Sequence, residues 1–303
     1  MSLTIIGPEA EAKLDWLALT DALAAGHALP RAEVADTLLR RGADTLLTRS
    51  AWIDGMGIAV KGATIFPGNS AMGLPAIGGA VNLMSDRDGR LEALVDFALV
   101  TKWKTAGDSL LAARRLARPD AERILIVGAG TVALSLAEAY AAAFPKAALH
   151  VWARNSDAAR AYAAATGATP EPDLEAAVGK AAIIATSTMT TKPLIHGGWL
   201  APGTHLDLIG AYRPDMREAD SDCFRRARVF VDSRATTLHH IGELMMPLAE
   251  GAITEADVIA DFYDLPSGRF VRRTADEITL CKNGGGAHLD LMTARYILEA
   301  ART

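Results

Sequence analysis

The sequence predicts an α/β protein in which a doubly wound parallel sheet is joined to a second, α+β domain. Three observations predict it. From about residue 124 onward, short apolar runs alternate with helical stretches, the pattern of parallel strands linked by crossover helices. The first of those runs opens into a glycine loop, in the string ILIVGAGTVA. Ahead of it, residues 45–97 read as consecutive strands, with helices before them. At about 150 residues per domain, 303 residues fit two domains, each long enough for its own core.

The elements follow in order. Residues 9–25 read as a helix carrying Leu14, Trp16 and Leu17, ended by Gly26. A second helix is expected over 30–41, with Pro30 in its first turn and Gly42 as its stop. Strands are expected over 45–52, Gly57–Ile65 and Ile77–Met84. The turn Ser85-Asp86-Arg87-Asp88-Gly89-Arg90 leads into a fourth strand, 91–97. A helix over 101–117 precedes the alternating region. There the strands are 124–127, 149–152, 182–185 and 205–209, with 228–231 and 278–280 completing the sheet, and helices span 132–144 and Ser156–Thr166. The last helix, 288–301, has no following strand to pair with.

Composition narrows the function. Half the residues are hydrophobic and 22% are charged, which excludes disorder. Lysine and arginine number 31 against 36 acidic residues, for a net charge of −5. With no basic excess, nucleic acid is not the expected partner. Cys223 and Cys281 are the only cysteines and give neither a zinc spacing nor a disulfide framework. No metal is expected, and a reducing, cytoplasmic setting is. No apolar run approaches the ~18 residues that cross a bilayer, and the start, MSLTIIGPEAEAKLDW, lacks the basic region of a signal peptide. A membrane role is therefore not expected.

The glycine loop is the strongest local signal. It is G-x-G-x-x-A with an apolar strand before it and a helix after it. Gly128 permits the tight turn, Gly130 lets the backbone approach a pyrophosphate, and Ala133 allows close helix–strand packing. The helix N-terminus offers free N–H groups to phosphates. A dinucleotide site usually ends its second strand on an acidic residue that holds the ribose 2′-hydroxyl. Here that strand reads LHVWARN, with Ala153 at the acidic position and Arg154 after it. Nothing there repels a 2′-phosphate, and a guanidinium binds one well. NADP(H) is expected over NAD(H). Asp157 comes too late for the ribose and reads as the cap of the following helix.

Several strings form a set: Gly57-Ile58-Ala59-Val60-Lys61, Phe66-Pro67-Gly68-Asn69, Lys104-Thr105-Ala106, Gly128-Ala129-Gly130, Ile209-Gly210-Ala211-Tyr212-Arg213-Pro214, Arg217-Glu218, and the tail Asn283-Gly284-Gly285-Gly286-Ala287-His288-Leu289-Asp290. In these the chain resembles the ornithine cyclodeaminase / mu-crystallin family over nearly its whole length. The resemblance implies a Rossmann-type doubly wound domain, residues 113–286, inserted into an α+β substrate-binding and dimerisation domain, residues 1–112 and 287–303. The last helix would rejoin the first domain, the site would lie between domains, and the protein would be a homodimer.

It also implies roles. Lys61 matches the family's substrate lysine, on a strand where Ala59, Lys61 and Ala63 share a face. Lys104 stands where many members have an arginine for the substrate carboxylate, and it also suits an i,i+4 pair with Asp108. Arg49 stands where relatives have methionine, and it is expected to supply a guanidinium for that carboxylate. Tyr212 replaces the aspartate with which cyclodeaminases move a proton. An unperturbed tyrosine, with a pKa near 10, is a poor base, so ornithine deamination is not favoured and imine reduction is untroubled. Thr131, Val132 and Thr188 match cofactor contacts. Arg154 and Asn155 follow the second strand, and Asn283 and Gly284 match residues near the nicotinamide. His288, at a helix start, reads as a cap or packing residue, and Arg217 and Glu218 as a structural pair.

The implied activity is NAD(P)H-dependent reduction of cyclic imino acids such as Δ1-pyrroline-2-carboxylate to an L-proline-type amino acid, with Lys61 and Tyr212 at the chemistry. Ornithine cyclodeaminase or an amino-acid dehydrogenase is the second reading. An NADPH-binding protein with little turnover is the third.

Overall fold

The computed structural model describes residues 3–302. These form two compact units, one running to Lys104 and resuming at Gly286, the other Thr105–Gly285.

The first unit is built on a six-stranded sheet. A short strand β1 (Thr4–Ile6) and a 3-10 turn (Pro8–Lys13) lead to helix α1 (Trp16–His27). The helix expected over 9–25 is thus split in two. Asp15 restarts it, its carboxylate accepting from the Ala18 N–H. Strands β2 (Glu33–Arg41), β3 (Asp44–Ile53), β4 (Gly57–Ile65), β5 (Ile77–Met84) and β6 (Leu91–Asp96) follow, and Asp96 caps helix α2 (Phe97–Leu116). The sheet order is β1-β6-β5-β4-β3-β2, antiparallel except for β1 against β6.

The helix expected over 30–41 is β2, paired along its length with β3. Ala, Leu and Arg favour a helix locally, but the ladder to β3 outweighs that weak preference. Gly42, expected as a helix stop, instead starts a two-residue hairpin turn with φ of 58°.

The second unit is the doubly wound sheet. In chain order its elements are β7 (Arg123–Val127), α3 (Thr131–Ala143), β8 (Ala148–Trp152), α4 (Ser156–Thr166), β9 (Thr169–Pro170), α5 (Leu174–Val178), β10 (Ile183–Thr186), β11 (His205–Leu208), α6 (Ser221–Arg226), β12 (Ala227–Val231), α7 (Arg234–Thr237), α8 (Gly242–Ala249), β13 (Val258–Ala260) and β14 (Ile278–Lys282). The order β13-β12-β14-β11-β10-β7-β8-β9 is parallel throughout. Its central strands are buried on both faces, and β7, with Ile124, Leu125, Ile126 and Val127, is apolar on both. From β7 the chain runs to one side through β8 and β9, then to the other through β10 and β11. The carboxyl ends of β7 and β10 therefore flank a topological switch point, where such sheets bind ligands.

Helix α9 (Ala287–Arg302) returns to the first unit and packs on β3, β4 and α1. The units divide inside α2, at Lys104/Thr105. The boundary read from sequence, at 112/113, falls further along the same helix.

Candidate active site

Two clusters of functional side chains emerge, one in each unit. In the second unit, Gly128 adopts φ of 120°, and a Cβ there would sit 3.0 Å from the Ser187 carbonyl oxygen. Only glycine fits this turn. Gly130 is the N-cap of α3 and brings no side-chain cap to its N–H groups, and a Cβ there would meet open space. The helix end is thus left for an anion. Thr131 is the first residue of α3, with Val132 next.

A cleft of about 290 Å³ adjoins this turn, lined by Gly128, Trp152, Ala153, Arg154, Thr188, Met189, Thr190 and Leu194. The glycine turn, the bare helix end and the cleft fit a dinucleotide. Arg154 is exposed at its edge. Asn155, next to it, caps α4 by accepting from the Asp157 and Ala158 N–H groups. Asp157, expected as that cap, lies inside the first turn and pairs with Arg160.

Buried carboxylates hold the loops beside the cleft. One Glu218 oxygen accepts from the Thr188 N–H and hydroxyl, each at 2.7 Å, and the other from the Gly210 N–H at 2.7 Å. Glu218 ties the loop after β10 to the loop after β11, which continues to Tyr212. Its own N–H and that of Ala219 donate to Glu243. Burial, then the nearby Glu218 charge, pushes Glu243 up to about 7. The structural pair expected between Arg217 and Glu218 does not form: Arg217 bonds Glu250 and Ser221 instead. Asp232 accepts from the Gly284 and Gly285 N–H groups, and burial raises it to about 6. The Asn283 side chain turns inward and donates to buried Asp207, which also accepts from Ser109 and Tyr140. Tyr212 is 56% exposed, with the Arg213 guanidinium 5.5 Å from its ring centre.

The first unit gathers cations. Arg49 on β3 lies directly opposite Lys61 on β4. Like charges so placed repel, and each has a carboxylate in answer. Arg49 pairs with Asp36 across the strands at 2.8 Å. Lys61, 7% exposed, donates to Asp290 Oδ1 at 2.9 Å and to the Thr101 hydroxyl at 3.0 Å, and its ammonium lies 4.8 Å from the centre of the Phe97 ring. Burial holds Lys61 below the usual lysine value. Lys104 and Arg49 push the same way, and Asp290 opposes them. His288 packs edge-on to His27 at 5.4 Å, as expected of a packing residue, and burial holds both histidines well below their ordinary range. Asp290, a central member of this cluster, carries no spacing signal that sequence reading could have used.

A model of the ornithine cyclodeaminase/mu-crystallin family matches residues 49–303. The chain belongs to that family. It is 51% identical to a Δ1-pyrroline-2-carboxylate reductase of Paracoccus denitrificans, over 95% of this chain and 94% of that one. Among solved structures, the Thermococcus litoralis Δ1-pyrroline-2-carboxylate reductase in complex with NADH and L-proline is similar, with TM-score 0.88, 25% identity and 99% and 98% coverage. An archaeal alanine dehydrogenase dimer with bound NAD is similar as well, with TM-score 0.88, 25% identity and 100% and 97% coverage. Family membership makes the chain one of a group of NAD(P)-dependent oxidoreductases, and it carries the Rossmann-type sheet.

Proposed function

We propose that this protein reduces cyclic imino acids, Δ1-pyrroline-2-carboxylate or a related ketimine, to L-proline-type amino acids at the expense of NADPH. The reading rests on 51% identity over nearly the whole chain to a reductase of that substrate. The cation cluster of the first unit supports it. Lys61, Lys104 and Arg49 suit an α-carboxylate, and with two carboxylates already present they leave room for one more anion. When bound, the reduced nicotinamide supplies hydride to the imine carbon. The residues here bind, orient and protonate. Tyr212, where cyclodeaminases carry an aspartate, donates a hydrogen bond and takes no proton.

Arg154 and the missing acid at Ala153 support NADP(H) as the preferred cofactor, with NAD(H) as the alternative that the similar structures contain. Thr131, Val132, Thr188, Asn155, Asn283 and Gly284 would line it, the last two with side chain or backbone fixed by Asp207 and Asp232. A homodimer through the first unit is supported by β2, whose residues are all exposed, Leu38 and Leu39 among them. Two buried free thiols suit a reducing, cytoplasmic setting.

The test follows nicotinamide absorbance with Δ1-pyrroline-2-carboxylate, alongside L-ornithine plus oxidised cofactor with an ammonia readout. NADPH consumption by the imine, without ammonia from ornithine, is expected. Ammonia and proline from ornithine would overturn both the reading and the meaning of Tyr212. Tight NADPH binding with no imine consumed would favour a binding protein with little turnover.

A further inference from the structure

Asp290 is 1% exposed on the buried side of α9, among Ala287, Leu291, Ala294 and Ile297 and the polar residues His288 and Thr293. One of its oxygens meets Lys61, and the other is buried with no hydrogen-bond partner among the described residues. A buried carboxylate so sparsely satisfied is destabilising, so the charges around it must account for its place. The charged groups acting on Lys61 are Asp290 from α9, Lys104 from α2 and Arg49 from the facing strand β3. The α9 histidine His288 and His27 of α1 are held neutral by burial, and Arg31 acts on these histidines. Asp36 of β2 answers Arg49 and Asp290 answers Lys61. No ion pair among the described residues answers Lys104.

We propose that Asp290 is a positioning residue for imine reduction, its Oδ1 holding the Lys61 ammonium as proton donor to the imine nitrogen and leaving Lys104 to receive the substrate carboxylate. This rests on the reductase reading above. As the imine carbon takes up hydride, the π pair of C=N moves to nitrogen and forms a new N–H bond. The Lys61 Nζ–H bond breaks, its electron pair stays on Nζ, and water reprotonates the neutral amine. A Lys61 cation already matched by Asp290 is also less hostile to positive charge developing on the substrate nitrogen than a bare one would be.

The sign of the pH effect follows. Reduction needs the ammonium form, so kcat/KM falls as pH rises through the Lys61 pKa. Without Asp290, burial and the Lys104 and Arg49 charges act unopposed, and Lys61 loses its proton at lower pH.

The experiment titrates Lys61 by 15N-lysine NMR in the full-length protein, assigned by the signal lost in Lys61→Arg. In parallel it records the pH profile of kcat/KM for Δ1-pyrroline-2-carboxylate. Asp290→Asn should move the Lys61 midpoint and the alkaline limb down together by about one pH unit or more, and Asp290→Glu should restore most of the shift. A lower kcat with both midpoints unmoved would mean a merely structural role and overturn the proposal. If Asp290→Asn does not fold, Lys104→Met decides. A tenfold or greater rise in imine KM is expected, with the alkaline limb moved up because the Lys104 charge no longer disfavours the Lys61 proton, and a fall in kcat at unchanged KM would overturn the assignment. Should the wild-type protein not reduce the imine while the NMR midpoint still moves with Asp290→Asn, the reductase reading fails and the Asp290–Lys61 coupling stands.

Discussion

Arg154 carries the proposed cofactor preference. It stands just beyond β8, exposed at the edge of the cleft beside Gly128, with Ala153 where an acidic residue would hold a ribose hydroxyl. A charge-assisted bond contributes about 1.5–3 kcal/mol, and about 1.4 kcal/mol is tenfold in binding. Arg154→Ala should therefore raise KM for NADPH by roughly 10- to 100-fold and leave KM for NADH nearly unchanged, as steady-state kinetics with each cofactor would show. Equal changes for both would remove Arg154 from 2′-phosphate recognition. The positions of such residues were legible in the sequence because they are local: Gly128, Gly130 and Arg154 follow strands that can be seen a few positions earlier. The partners of Asp290 and Glu218, seen in the sequence only as members of strings, and of Asp232, not singled out at all, were not legible. Asp290 meets Lys61 across 229 positions and Asp232 meets Gly285 across 53. A carboxylate whose partner is that remote has no periodicity to betray it.

At the scale of the element, β2 was read as a helix and is a strand. Its residues, EVADTLLRR, satisfy a helix as well as a strand until β3 is placed beside them. Pairing in register from Glu33↔Trp52 to Arg41↔Asp44 then makes it the edge of the sheet. The parallel strands of the second unit were legible because a strand buried on both faces is a continuous apolar run. An edge strand with every residue exposed has no such mark. Exposed apolar residues on an unpaired edge favour association unless something covers them. Leu39 lies opposite Leu46, the two being 66% and 40% exposed, and with Phe66 they line an apolar groove of about 320 Å³. If a second copy covers this surface, Leu39→Glu buries a charge at the interface. Sedimentation velocity should then show a monomer where the wild type sediments as a dimer, with cofactor binding retained. A wild-type monomer, or a variant that still sediments as a dimer, would place the interface elsewhere or remove it.

At the scale of the molecule, the chain builds most of the first unit, completes the second, and returns to close the first with a single helix. Leu289, Leu291, Met292, Ile297 and Leu298 of α9 are all essentially inaccessible, against β3, β4 and α1. At about 1.5–3 kcal/mol each, their burial is worth on the order of 10 kcal/mol. That is comparable to the ~5–15 kcal/mol by which a folded protein is stable at all. The first hundred residues are thus expected to need α9 in order to stay folded, however complete their sheet. The second unit, continuous in sequence, has no such dependence. Ending the chain at Gly286 should leave residues 105–285 resistant to limited proteolysis and able to bind cofactor, while residues before 104 are digested. The same truncation removes Asp290 from Lys61, so imine reduction should vanish even where nicotinamide binding survives. If the first unit stays protected without α9, the sheet is self-sufficient. In that case the helix is retained for the carboxylate that it brings to Lys61, and its packing is secondary.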